Sequence, residues 1–169
     1  LGHLYNPYVK LAYNIGKFKA QVGLKYMAYK TPGSTRYLPS AGNPFVRAAT
    51  PSEDLSTKTR VNDAFLPSVG IGFEATKNLE FYLNYGKGYM RQYSGVTNPY
   101  LNNRAKFLAA GLTLQDLLDN WKTETSDNFD FGIIFNSNRI KLNANAFFTR
   151  QKNILANVNN PLVNVNYNQ

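Results

Sequence analysis

The stretch VGIGFEATKNLEFYLNYG, residues 69–86, decides the fold. Val69, Ile71 and Phe73 alternate with Ser68, Gly70, Gly72 and Glu74. After the polar break Thr76-Lys77-Asn78 the alternation resumes, with Leu79, Phe81, Leu83 and Tyr85 set against Glu80, Tyr82, Asn84 and Gly86. A period of two places successive side chains on opposite faces of an extended chain. The stretch therefore reads as a β-hairpin with one oily face and one wet face. The fold turns on what lies against the oily face.

The same pattern occurs twice more. One hairpin pairs residues 8–14 with 18–28 around Ile15-Gly16-Lys17, and another pairs 128–135 with 140–149 around Asn136-Ser137-Asn138-Arg139. With 66–75 and 79–89 from the central hairpin this makes six strands. The turns centre near residues 16, 77 and 137, about sixty residues apart, and their Gly, Asn and Lys suit tight reversals. The connections between hairpins, about 30–64 and 90–122, are long and show little alternation. Connections of this length in a compact domain signal function or disorder. Within the second, Thr113 followed by Asp116 is a helix-start signature predicting one or two helical turns to Asp119. All the short turns fall at one end of the sheet and all the long loops at the other, an asymmetry of outer-membrane barrels.

The whole chain has 169 residues, 43% of them hydrophobic, with twelve Tyr, eleven Phe and a net charge of +9. Mean hydropathy is −0.39. No apolar run approaches the roughly 18 residues of a membrane helix, but a spanning strand needs only about 9–11, half of them polar. There is no cysteine, which removes disulfides, thiolate metal sites and thiol nucleophiles. The start carries no signal-peptide pattern and no initiator Met, and the end stops inside another alternating stretch; both read as cut, so a piece of a larger protein is expected.

Sorted by face, the oily side holds Val9, Leu11, Tyr13, Phe18, Ala20, Val22, Leu24, Tyr26 and Ala28. It continues through Val69, Ile71, Phe73, Leu79, Phe81, Leu83, Tyr85, Phe129, Phe131, Ile133, Phe135, Leu142, Ala144, Ala146 and Phe148. The other side carries Lys10, Lys19, Lys25, Glu74, Glu80, Asp130 and Lys141 among amides and glycines. A soluble β-sandwich binding module explains the alternation alone. It does not explain why Tyr13, Phe18, Phe73 and Phe135 flank the short turns while Tyr26, Tyr85 and Phe129 lie at the far ends. Two aromatic bands separated by aliphatics are what two lipid–water interfaces select. The fold expected is all-β: an antiparallel up-and-down transmembrane β-barrel segment of about six strands.

Three segments resemble a known family. Glu124-Thr-Ser126-Asp-Asn-Phe129-Asp130-Phe131-Gly132 resembles the E-x-S-x-x-x-E-x-G start of a late barrel strand in TonB-dependent outer-membrane transporters, with Asp130 where Glu is usual. Phe147-Phe148-Thr-Arg-Gln-Lys152-Asn153-Ile154 resembles the following strand, F-[FY]-x-x-x-[KD]-[DN]-x-I. Tyr85-Gly86-Lys87-Gly88-Tyr89 is similar to an upward strand ending Y-[GS]-x-[GS]-[FY], without the Pro that commonly follows. The resemblance covers about residues 65–158. It implies a barrel of about 22 strands with a plugged lumen in the bacterial outer membrane. It also implies import of a scarce nutrient such as a ferric siderophore, energised by TonB through a plug domain that this chain does not contain. The alternative within the membrane is a passive porin. Residues 1–169 form one partial barrel domain in this reading, with outer-membrane lipid as a partner.

Catalysis is not expected, nor a cofactor or resident metal. His3 is the only histidine, so neither a zinc cluster nor a Ser–His pair can be assembled. Glu74 and Glu80 flank a turn on the lumen side, where carboxylates are ordinarily solvated or salt-bridged rather than a glycosidase pair. The short Gly70-Ile71-Gly72 and Gly86-Lys87-Gly88 runs lack the helix a phosphate loop requires. The loops offer more. Arg36, Tyr37 and Arg47 in the first, and Tyr89, Arg91, Tyr93, Tyr100, Arg104 and Lys106 in the second, are the candidate ligand-binding residues. Arg and Tyr supply donors and flat surfaces for an anionic small molecule or metal chelate; the equal alternative is a solvated basic loop that contacts anionic outer-leaflet lipid. Residues 90–115 contain no acid to neutralise their cations. Nucleic acid is not the expected partner, because most aromatics lie on the oily face rather than among the basic residues.

Overall fold

A computed structural model describes residues 2–90 and 95–168. It is dominated by one antiparallel sheet of seven strands: β1 (His3–Tyr5), β2 (Tyr8–Ile15), β3 (Phe18–Thr31), β6 (Arg60–Thr76), β7 (Leu79–Met90), β8 (Glu124–Asn136) and β9 (Lys141–Lys152). Two small hairpins stand apart, β4 (Pro39–Ser40) with β5 (Asn43–Arg47), and β10 (Asn157–Asn160) with β11 (Val165–Asn168). Three short helices, α1 (Thr97–Asn102), α2 (Arg104–Ala109) and α3 (Leu114–Asp119), occupy the loop between β7 and β8.

β1 and β2 are one edge strand interrupted by Asn6-Pro7. Tyr5 pairs with Ala28 and Tyr8 with Lys25, so a single register runs through both pieces. Pro7 keeps half of its pairing, its carbonyl accepting from the Tyr26 amide at 3.0 Å, but has no N–H to return. From that edge the sheet is a plain meander through β3, β6, β7, β8 and β9. The reversal Gly16-Lys17 has positive φ, 54°, at Gly16, as a two-residue hairpin of the II′ kind requires.

The registers put every residue assigned to the oily face on one side. Phe18 pairs with Phe73 and Phe73 with Phe81; Val22 pairs with Val69 and Val69 with Tyr85. Leu83 pairs with Phe131 and Phe131 with Ala146. No described part of the chain covers this face: Leu11 is 72% exposed and Phe131, in the middle of the sheet, 50%. A sandwich would have buried it under a second sheet, and that alternative falls. Leaving such a wall in water would cost on the order of 1.5–3 kcal/mol for each large side chain. From Phe18 to Tyr26 is eight residues, about 27 Å of strand, or roughly 21 Å of depth at a barrel tilt of about 40°. That is close to the apolar band of about 25 Å found on outer-membrane barrels.

The strands outrun the alternation that announced them, β6 most of all, beginning at Arg60 instead of 66. Its first half pairs with β3 alone. Glu74 sends its amide to the Lys17 carbonyl on the β3 side, so even-numbered residues of β6 donate toward β3 and odd-numbered ones toward β7. Pro67 therefore has its ring where β7 would need a donor, and the β6–β7 ladder ends one residue later, at Ser68 and Gly86. Beyond it the wall parts into a β3–β6 ladder and a β7–β8–β9 ladder.

On the wet face, the Tyr82 ring lies over Gly132, where any Cβ would collide with it. Lys19 reaches Glu74 at 2.6 Å and Glu80 at 3.2 Å, neutralising the carboxylate pair beside the turn. These glutamates are a salt-bridge cluster.

Candidate functional site in the outer loops

The long connections converge at one end of the sheet and share a hydrophobic core. Leu55 comes from the β3–β6 loop. Val96, Tyr100, Phe107, Leu114 and Leu117 come from the β7–β8 loop, and Val163, Val165 and Tyr167 from the segment after β9. Tyr100 and Phe107 are fully buried and stack at 5.1 Å. α3 forms where its start signature stands: the Thr113 hydroxyl accepts from the Asp116 amide and the Asp116 carboxylate accepts from the Thr113 amide. α1 and α2 have no side-chain cap and are held by burial of Tyr100 and Phe107.

At the centre of this core is Asp54. Its carboxylate accepts from Arg104 Nε and Nη2, both at 2.7 Å, from the Ser52 hydroxyl at 2.6 Å and from the Tyr100 hydroxyl at 3.0 Å. Its backbone carbonyl accepts from the Leu114 amide at 2.9 Å. The Arg104 guanidinium holds the Asp54 carboxyl well below the usual carboxylate range, against the opposing effect of burial. Burial first, and then Asp54, push the Tyr100 phenol above its ordinary value. A two-pronged Arg–carboxylate pair fixes direction as well as charge. The Lys58 amide donating to Gln115 Oε1 at 2.8 Å, and Arg60 lying 5.4 Å over the Trp121 ring, pin the same two loops at further points.

This geometry sorts the candidate ligand residues. Arg104 was expected to lack an acid partner; its acid is Asp54, fifty residues away in another loop, and that expectation is corrected. Tyr100 is buried and its hydroxyl is engaged by Asp54 and the Leu112 carbonyl. The Tyr100 hydroxyl and the Nε and Nη2 of Arg104 are thus spent inside the loop core. Tyr89, paired with Thr125 at the end of β7, shares the outer face of the wall with Tyr85. Arg91 and Tyr93 lie outside the described residues. Lys106 is exposed on α2.

Arg36, Tyr37 and Arg47 lie in one loop, in and just before the β4–β5 hairpin. The β4–β5 hairpin pairs Pro39 with Arg47, and the Ala48 amide donates to the Leu38 carbonyl at 2.8 Å. Arg47 is on β5, whereas Arg36 lies three residues before β4, its amide donating to Ser56 Oγ at 3.2 Å and its carbonyl accepting from the Ser52 amide at 2.7 Å; both arginines and Tyr37 are exposed. Residues 32–52 contain no acid. At the hairpin tip Phe45 is 96% exposed. Sequence reasoning did not single out Phe45, and nothing in its neighbours marks it. Asp54 was visible only as one acid among the loop's charges.

The wall and its crown of loops define a class: an antiparallel membrane β-barrel wall with its lipid face outward and its long loops at one rim. The family model for the TonB-dependent receptor-like β-barrel matches residues 3–169, and the chain belongs to that family. Neither the curated proteins nor the solved structures gave a match. The family is one of bacterial outer-membrane transporters and not of enzymes. No helix among the described residues is long and apolar enough to cross a membrane; this wall crosses with strands.

Proposed function

We propose that this chain is part of the barrel of an active transporter that captures an anionic metal chelate, such as a ferric siderophore, at its outer loops. Import is energised by TonB through a plug domain housed in the completed barrel. The observation that supports the cargo class is the acid-free segment 32–52, which holds Arg47 on the β4–β5 hairpin, Arg36 just before it, and Tyr37 and Phe45 exposed in the same segment. Guanidinium groups among exposed aromatic rings suit a negatively charged chelate with flat ligand rings better than a neutral sugar. The packed loop core beneath supplies a rigid platform, which lowers the entropy cost of capture.

The test is binding of anionic ferric chelates to the complete transporter, compared with neutral sugars. Replacing Arg36 and Arg47 together by Ala is expected to weaken chelate binding at least tenfold at low salt and less at high salt. Unchanged affinity at all ionic strengths would return these residues to solvated surface. Accumulation of labelled chelate by cells should also collapse when TonB is deleted, whereas diffusion through an open pore would continue.

A further inference from the structure

We propose that the outer face of β7, β8 and β9 carries a binding site for the phosphate headgroup of an anionic outer-leaflet lipid, built on Arg150 and Lys87. The inference rests on the membrane placement of the wall and not on the cargo reading. Three successive rungs across these strands change character in order. The lowest joins Tyr85, Phe129 and Phe148; the next joins Lys87, Asp127 and Arg150; the uppermost joins Tyr89, Thr125 and Lys152. The lowest rung is a continuous aromatic shelf, with ring centroids at 5.0 Å between Tyr85 and Phe129 and 6.3 Å between Phe129 and Phe148. Directly above it is an open depression of about 410 Å³ lined by Tyr85, Asp127, Phe129, Phe148 and Arg150.

The single carboxylate in this niche is already engaged. Asp127 accepts from the Tyr85 hydroxyl at 3.0 Å and pairs with Lys152 at 3.1 Å. Arg150 and Lys87 are in no ion pair among the described residues. Arg150 lines this depression, and Lys87 stands on the same rung across Asp127, at the margin of a second depression that also holds Asp63; both cations face outward one rung, about 7 Å of strand, above the aromatic band that marks the edge of the hydrocarbon. Tyr26 repeats the boundary on the other ladder, its ring in the band and its hydroxyl donating to Asp63 at 2.8 Å. There the adjoining rung is Tyr5, Ala28 and Asp63, with no cation. The rung above it, His3, Lys30 and Val61, sets one lysine against Asp63, so net positive charge near headgroup height is concentrated on the β7–β9 side. A cargo molecule in water does not meet this face, because it points away from the lumen. An acyl chain lying along Phe129 and Phe148 would carry a phosphate to Arg150, the side chain whose planar fork fits it best.

The complete transporter is reconstituted in phosphatidylcholine with trace spin-labelled phosphatidic acid, and selectivity is read from the immobilised fraction against spin-labelled phosphatidylcholine. Wild-type protein should select phosphatidic acid, and Arg150→Gln with Lys87→Gln should reduce that selectivity at least fivefold. Arg150→Lys should keep most of it, which also serves as the reading if the double variant does not insert. Lys10→Gln with Lys25→Gln, the same charge change on the wet face, should leave it intact. An equal loss in both double variants would reduce the effect to net charge and overturn the site, as would no loss in either. Displacement of the lipid by inorganic phosphate, against sodium chloride of equal ionic strength, would also overturn it by showing a plain anion site.

Discussion

At the scale of single residues, Asp54 and Arg104 matter most, and in a role the sequence could not announce. Fifty positions separate them, and no local pattern marks one as the other's partner. What was legible was charge type; what decided function was which charges are spent inside the loop core. Replacing Arg104 by Ala leaves a largely buried carboxylate without its forked donor and should loosen the core by about 2 kcal/mol. Limited proteolysis of the intact transporter would show this as faster cutting between 91 and 123, while unaltered cutting would contradict a structural role. The pH behaviour follows from the direction of the shift. Because the folded Asp54 carboxyl lies below its unfolded value, its contribution is complete above about pH 4 and is lost only as pH falls through the lower folded value. Loop protection should therefore be flat between pH 5 and 8 as far as this pair is concerned. A decline across that range would point to another group.

At the scale of elements, the six long strands were legible because a half-buried strand writes its environment into the sequence at every second residue. Val22 sits on a rung with Leu11 and Val69, near mid-depth of the apolar wall. Val22→Arg should destabilise the complete barrel in lipid by roughly 2–4 kcal/mol, whereas Gln21→Arg, on the wet side between Gly70 and its neighbours, should cost little. Urea titration of both variants in vesicles checks the order, and equal effects would mean that the two faces do not meet different media. The strand ends were not legible. Beyond the membrane both faces meet water, so alternation fades at Arg60–Phe65 and at Glu124–Asp127 although pairing persists. α1 and α2 were also hidden: six residues each and uncapped, they are helical because of what Tyr100 and Phe107 bury, which is tertiary information.

At the scale of the whole molecule, the sheet is open. The outer edges of β1–β2 and β9 have no strand beside them in the described structure, and one entire face is uncovered apolar surface. Lipid tolerates neither an unpaired edge nor a solvated one, and water does not tolerate the face. The isolated 169-residue chain should thus associate in plain buffer. Sedimentation showing a monodisperse monomer that unfolds cooperatively would refute the barrel-wall assignment. The core of the crown draws on three separate connections, and this bears on how specificity could be moved between such transporters. Grafting residues 91–123 alone from a relative would remove the partners of Leu55 on one side and of Val163, Val165 and Tyr167 on the other. A single-loop chimera would lose the ground beneath the β4–β5 hairpin before it acquired a new preference. In this barrel the loops are inherited as a set, and a change of cargo has to be exchanged as one.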